Sequence, residues 1–190
     1  CKKIGVIFLT IFAFSSEKWN RTKPEIRALM ALLKEFLRVK TPEMKEQGVR
    51  LHAIGRLKDL PADCRKALNS AIEQTASNTE IDVILALSYG SREEIVDAAR
   101  QLAREAASGV LDPEDIDNEM MSQRLYTANI PDPDLLIRTS GERRISNFLL
   151  WQISYAEIVI NDKFWPDFRE SDLNEAIAEY AQRNRRFGSI

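Results

Sequence analysis

The stretch Asp134 to Glu157, DLLIRTSGERRISNFLLWQISYAE, runs from an apolar strand into an arginine-rich turn and back into an aromatic, half-buried segment. Leu135, Leu136 and Ile137 read as the end of a buried strand. Arg138 then falls at its carboxyl end, where open α/β sheets bind their ligands. Gly141 permits a turn, and Arg143 and Arg144 follow it. Ser146 is placed to cap a helix beginning at Asn147, whose first N–H groups would be unpaired and partly positive. Two or three guanidinium groups around such a start describe a phosphate or diphosphate site. The same residues also allow a plainer reading, a solvated turn whose arginines pair with Glu142.

Outward from this stretch, strands and helices alternate. Ile4 to Phe12 is a near-continuous apolar run, as expected of a parallel strand buried on both faces. Pro24 and Glu25 open a helix in which Ile26, Leu29, Met30, Leu33 and Leu37 recur at three and four residues. Val49 to Ile54 is a second strand, and Pro61 starts a helix with Cys64, Ala67, Leu68, Ala71 and Ile72 inside. Ile81 to Leu87 is a third strand. Ser91 and Glu94 have the spacing of a capping box for the helix that follows. Asp112-Pro113 signals a short helix through about Leu125, and Ile130 to Pro133 is a stiff link. Ile158 to Ile160 reads as a last strand, and Ser171 to Arg183 as a last helix. The alternation predicts an α/β fold, a mostly parallel central sheet flanked by helices, as one layered domain over residues 1–190. The polar loops Phe14 to Arg21, Ser88 to Arg92 and Arg138 to Ser146 all follow strand ends, so they should gather on one edge.

Composition narrows the function. With 190 residues, 44% hydrophobic and 29% charged, the chain is long enough for a substantial core. A net charge of -2 argues against nucleic acid as partner, so any anion site is local. Cys1 and Cys64 have neither metal-ligand spacing nor a disulfide framework, which suits a reducing cytoplasm. His52 stands alone and reads as structural. No apolar run approaches the ~20 residues of a membrane span, so any membrane contact, for instance at the inner face, is peripheral.

Three further stretches sharpen the reading: AFSSEKWNR at Ala13 to Arg21, WPDF at Trp165 to Phe168, and the closing RNRRFG at Arg183 to Gly188. Together with IRTSGERRISNFLLWQ, in this order and spacing, they resemble the cis-prenyltransferases of the undecaprenyl diphosphate synthase type along essentially the whole chain. The resemblance implies condensation of isopentenyl diphosphate with an allylic diphosphate, usually farnesyl diphosphate. The product would be a long cis-polyprenyl diphosphate, a carrier lipid of the kind used in cell-wall biosynthesis. It further implies Mg2+ as cofactor, a homodimer, and helices that wall a hydrophobic tunnel for the growing chain. Family members carry a further strand leading into Asp-Gly-Asn-Gly-Arg-Trp, a motif not found here, so an upstream segment is expected. The alternative is a non-catalytic partner of the same fold, lacking that aspartate loop.

The resemblance also assigns residues. Arg138, Arg144 and Ser146 take the positions that hold isopentenyl diphosphate, a task that suits bidentate guanidinium groups. Glu157 stands where the family has an acid associated with magnesium. Ser15, Lys18, Trp19 and Arg21 match a catalytic loop that closes over the substrates, with Trp19 and Arg21 also in contact with them. Lys18 replaces the usual asparagine: its ammonium can neutralise a diphosphate but accepts no hydrogen bond. Ser88 and Ser91 replace the asparagine and second glycine of the family's Asn-Tyr-Gly-Gly-Arg, while Arg92 is kept. Arg186-Phe187-Gly188 matches the Arg-x-Gly that reaches the active site of the other subunit.

Overall fold

A computed structural model describes residues 1–183. They fall into two compact units, one formed by Cys1–Ile130 and one beginning at Pro131.

The first unit is built on β1 (Phe8–Ser15), β2 (Val49–Ile54) and β3 (Ile81–Tyr89), in the order β1-β3-β2. Both pairings are parallel. The central strand β3 is buried along nearly its whole length, with Ile84 and Ala86 fully inaccessible. This explains why its sequence is a continuous apolar run and not an alternating one. The chain's first apolar residues behave differently from the expected Ile4 to Phe12 strand. Lys2–Ile4 form a 3-10 turn, and Ile7 is exposed; the ladder starts only at Phe8, which pairs with Asp82.

Helix α1 (Lys23–Glu46) starts one residue after Thr22, whose N–H and hydroxyl both donate to Glu25. It continues through Pro42 for longer than its leucine pattern marked. Helices α2 (Ala62–Thr75), α3 (Ser91–Ala107) and the short α4 (Asn118–Ser122) complete the unit. Met30 and Leu37 of α1, Cys64, Leu68 and Ala71 of α2, and Leu51, Leu85 and Leu87 of the sheet form one buried cluster. Each large aliphatic side chain in it contributes about 1.5–3 kcal/mol. Among the described residues, no helix is long and apolar enough to cross a membrane.

Buried carboxylates cross-link this unit. Asp82 accepts from Nε and Nη2 of Arg50, at 2.5 and 2.8 Å, and lies 2.5 Å from His52 Nε2. His52 is thus placed structurally. Glu94 is inaccessible to solvent and accepts from Tyr89 Oη (2.5 Å) and the Tyr126 N–H (2.9 Å). These donors offset the cost of burying the carboxylate, which would be high if it were unpaired. One turn later, Asp97 accepts from Arg56 at 2.8 and 2.9 Å and from Tyr126 Oη at 2.5 Å. The Arg56 guanidinium, aided by Tyr126, holds the Asp97 carboxyl at about 2, below its ordinary 3.8. Burial and the same carboxylate push the Tyr126 phenol up.

The second unit pairs β4 (Leu135–Arg138) with β5 (Glu157–Ile160), again in parallel, and adds α5 (Glu170–Ala181). Asp172, in the first turn of α5, accepts from the Arg169 N–H at 2.8 Å and from Lys163 Nζ at 2.7 Å. Trp165 and Phe168 stack at 5.8 Å. The parallel strands, expected as one central sheet, are therefore hydrogen-bonded as a group of three and a group of two.

Two consequences are measurable. Gly55 has φ 112°, and a Cβ there would lie 2.1 Å from the Leu87 carbonyl oxygen, so Gly55→Ala should cost on the order of 3 kcal/mol in denaturant unfolding. Asp97, with its folded-state pKa depressed to about 2, stabilises fully above its unfolded value near 3.8 and progressively less as pH falls towards 2. Asp97→Asn should therefore melt lower than the parent at pH 7, and the gap should narrow from pH 4 to pH 2. A gap independent of pH would remove Asp97 from the acid limb.

Candidate active site

Because β1, β2 and β3 are parallel, the loops after them leave at one edge of the first unit; of the three loops expected together, Phe14 to Arg21 and Ser88 to Arg92 lie there, and Arg138 to Ser146 belongs to the second unit. Ser15, the last residue of β1, pairs with Tyr89 at the end of β3. The following 3-10 turn, Ser16–Asn20, carries Lys18 and Trp19. Trp19 lies edge-on to Phe14 with centroids 4.9 Å apart, and its Nε1 donates to Ser88 Oγ at 2.8 Å. Lys18 Nζ donates to the Ala13 carbonyl at 3.2 Å and stands 5.8 Å from the centre of the Phe14 ring. Half-burial, with Arg21 nearby, lowers the Lys18 pKa. Arg21 is exposed, 3.6 Å from Glu25. Ser16 was not singled out from the sequence, yet its hydroxyl is buried without a partner among the described residues. Such an orphan marks a place where water or a ligand atom completes the bonding.

In the second unit, the loop after β4 is folded back by two main-chain bonds, Ser140 N–H to Lys163 O and Gly141 N–H to Asn161 O. Gly141 has φ 65°, and a side chain there would crowd Asp162. The helix expected from Asn147 is absent. Ser146, Asn147 and Leu149 have φ of 55°, 61° and 49°, a left-handed path that a right-handed helix cannot follow. The anion site at a helix start therefore falls away, and the guanidinium groups carry the charge alone. Left-handed backbone at three non-glycine residues is strain held by its surroundings, a feature that clusters at functional sites.

Arg138 and Arg144 do meet, through Glu142. One carboxylate oxygen of Glu142 takes Arg138 Nη2, and the other takes Arg144 Nη2 at 2.6 Å. Arg138 Nη2 also reaches Ser146 Oγ at 3.4 Å, so all three residues assigned to diphosphate binding are brought together. The pairing with Glu142 is the plainer alternative of the sequence, realised here. It leaves Arg138 Nε buried and without a partner, so the carboxylate does not satisfy the cluster. Guanidinium groups so placed can take an anion with more oxygens than a carboxylate.

Glu157 is not part of this cluster. It pairs with Leu135 while Arg138 pairs with Ile160, three residues or about 10 Å along the ladder and on the other face. Its carboxylate instead binds Arg183 Nη1 at 2.7 Å, and Arg183 also bonds Glu179. Among the described residues no group of three or more His, Cys, Asp or Glu is placed to hold a metal. One carboxylate already paired with arginine does not make a magnesium site by itself. Arg186-Phe187-Gly188 lies outside the described residues. Sequence reading missed Ser88 as the partner of Trp19, a contact spanning 69 residues that no local pattern announces.

Comparison with known proteins fits this geometry. The family model for undecaprenyl diphosphate synthase matches residues 1–188. An isoprenyl transferase of Heliobacterium mobile is 48% identical over 190 residues, 100% of this chain and 73% of that protein. A ditrans,polycis-undecaprenyl-diphosphate synthase of Micrococcus luteus, specific for (2E,6E)-farnesyl diphosphate, is 46% identical over 98% of this chain and 75% of its own length. Among solved structures, lavandulyl diphosphate synthase from Lavandula x intermedia, in complex with dimethylallyl diphosphate, aligns with a TM-score of 0.95 and 41% identity. The alignment covers 99% of this chain and 81% of that one. A probable undecaprenyl diphosphate synthase from Campylobacter jejuni aligns at 0.88 and 34% identity, covering 100% and 86%. With relatives of nearly half identity along its whole length and the same fold in solved synthases, the protein belongs to the undecaprenyl diphosphate synthase family and is a cis-prenyltransferase.

Proposed function

We propose that the protein elongates an allylic diphosphate, farnesyl diphosphate as primer, with successive isopentenyl diphosphates to a long cis-polyprenyl diphosphate. In each round the allylic C–O bond breaks and the diphosphate leaves with the electron pair. The isopentenyl double bond supplies the pair for the new C–C bond, and a proton is then lost. The observation that carries this reading is the cluster of Arg138, Arg144 and Ser146 around the Glu142 carboxylate, with Arg138 Nε buried and unsatisfied. Isopentenyl diphosphate takes the place of Glu142 between the two guanidinium groups. On the first unit's edge, Arg21 and the Lys18 ammonium face the allylic diphosphate and offset the charge that develops on it as it leaves. Ser15 and Trp19 belong to the same loop. Glu157 is the one carboxylate assigned to magnesium, which when bound would offset the charge of the departing diphosphate.

Leu32, Phe36 and Val39 form an exposed apolar stripe on α1, 67%, 38% and 48% accessible, which suits the growing prenyl chain. An apolar product of that length leaves water for lipid, which supports a cytoplasmic enzyme working at the inner membrane face. Homodimerisation is part of the reading, carried by the Arg186-Phe187-Gly188 sequence. The matched relatives are named for catalysis, which gives the non-catalytic alternative no support.

In the intact enzyme, Arg138→Ala and Arg144→Ala should each weaken isopentenyl diphosphate binding by roughly 1.5–3 kcal/mol, the worth of a charge-assisted hydrogen bond, with unfolding midpoints unchanged. Unaltered KM and kcat in both variants would sink the assignment. Removing Arg186 to Ile190 should cut turnover far more than stability, and full turnover in the truncated enzyme would leave the tail without a catalytic part.

A further inference from the structure

Two loops that leave the C-terminal edge of β1 and β2 converge on one small side chain near the end of β3. Ser88 is 2% accessible and sits in a left-handed conformation, φ 47°. Its hydroxyl accepts the Trp19 Nε1–H at 2.8 Å and points its own hydrogen at Asp59 Oδ2, 3.4 Å away. A hydroxyl has one donor and two acceptor sites, so both bonds are satisfied at once. A carboxylate at the far end polarises the hydroxyl and makes it a better acceptor for the indole. The Ser88 backbone is held as firmly: its carbonyl accepts the Arg56 N–H at 3.2 Å, and Gly55 packs directly against the preceding carbonyl, that of Leu87. The unusual φ is thus fixed by the β2 loop on one side, and it directs the hydroxyl to the β1 loop on the other.

We propose that Ser88, backed by Asp59, is a positioning residue that fixes Trp19 and through it the Ser15 to Arg21 loop over the allylic substrate. This rests on the function proposed above for that loop. Phe14 holds one edge of the indole by ring contact, an interaction with little directional demand, whereas the bond to Ser88 sets the rotation of the ring. Without it, Trp19 keeps its apolar contact but loses its fixed orientation. Lys18 and Arg21, one residue before and two after, lose theirs with it.

The test uses Ser88→Ala, Ser88→Asn and Asp59→Asn in the intact enzyme. Asparagine tolerates left-handed backbone and brings a carbonyl acceptor, so Ser88→Asn is the rescue variant. Hydrogen exchange of the Trp19 indole N–H, assigned with Trp19→Phe, should quicken about tenfold in Ser88→Ala, the worth of one hydrogen bond, and about threefold in Asp59→Asn. It should return towards the parent value in Ser88→Asn. In the same variants KM for the allylic diphosphate should rise about tenfold, about threefold and little, in that order. KM for isopentenyl diphosphate, held by Arg138 and Arg144, should stay within about twofold of the parent. Unchanged indole exchange in Ser88→Ala overturns the proposal, and so does faster exchange with an unchanged allylic KM. Should Ser88→Ala fail to fold, exposed Asp59 carries the decision: unchanged exchange and KM in Asp59→Asn overturn the proposal. The exchange measurement reads the loop whether or not chain elongation is the activity, so failure of the positioning role and failure of the proposed function are told apart.

Discussion

Burial of β3 on both faces, between β1 on one side and β2 on the other, is the constraint on which the first unit depends. A strand covered on both faces must spend its polar backbone on its two neighbours, and the long helical crossovers that cover it make those neighbours parallel. Parallel strands end on the same side. The Ser16–Asn20 turn, the Gly55 to Asp59 loop and the Ser88 to Arg92 loop meet for that reason, not because of any attraction among them. Chemistry at this edge is a by-product of how the core is closed. The contact between Trp19 and Ser88 is its finest expression, a single hydrogen bond that two parallel pairings have already brought within reach.

What could be read from the sequence follows the same division. The apolar run of β3 was legible because burial on two faces leaves little room for polar alternation, and the leucine pattern of α1 was legible because one face is buried. Local polar signals fared less well. Ser146 has the character of a cap, yet its own φ of 55° turns the chain the wrong way for a helix. Its hydroxyl lies instead 3.4 Å from Arg138 Nη2. Arg138, Arg144 and Ser146 were found because they share one loop. The partner of Trp19 was not, because it comes from another.

Glu142 shows how a loop rich in arginine stays folded. Two guanidinium groups in one short loop repel each other, and the loop also carries left-handed backbone at Ser140, Ser146, Asn147 and Leu149. A carboxylate placed between them offsets that repulsion with one oxygen for each arginine. It does so incompletely, since Arg138 Nε is left buried and unpaired. Complete satisfaction would make the internal anion a competitor too strong to displace, and no internal anion would leave two unpaired cations to open the loop. A partial match lies between these limits. It holds the arginines in place and still leaves binding energy to be gained by an anion with more oxygens.

The ladder of β4 and β5 separates this cluster from the Glu157–Arg183 pair of the same unit. Arg138 lies at the carboxyl end of β4, and Glu157 at the amino end of β5 on the other face, so the two cannot share a bond across the pairing. Glu157 is oriented by Arg183, which is bonded in turn to Glu179 within the last turns of α5. The carboxylate at the start of β5 is therefore held by the helix that follows it in the chain, and the arginines at the end of β4 are held by a carboxylate of their own loop. An ion pair with arginine lowers the negative charge that Glu157 presents to a hard cation, so any cation using it must either displace Arg183 or accept a weakened ligand. The setting of Arg183 at the end of α5 thus decides how much of Glu157 is on offer.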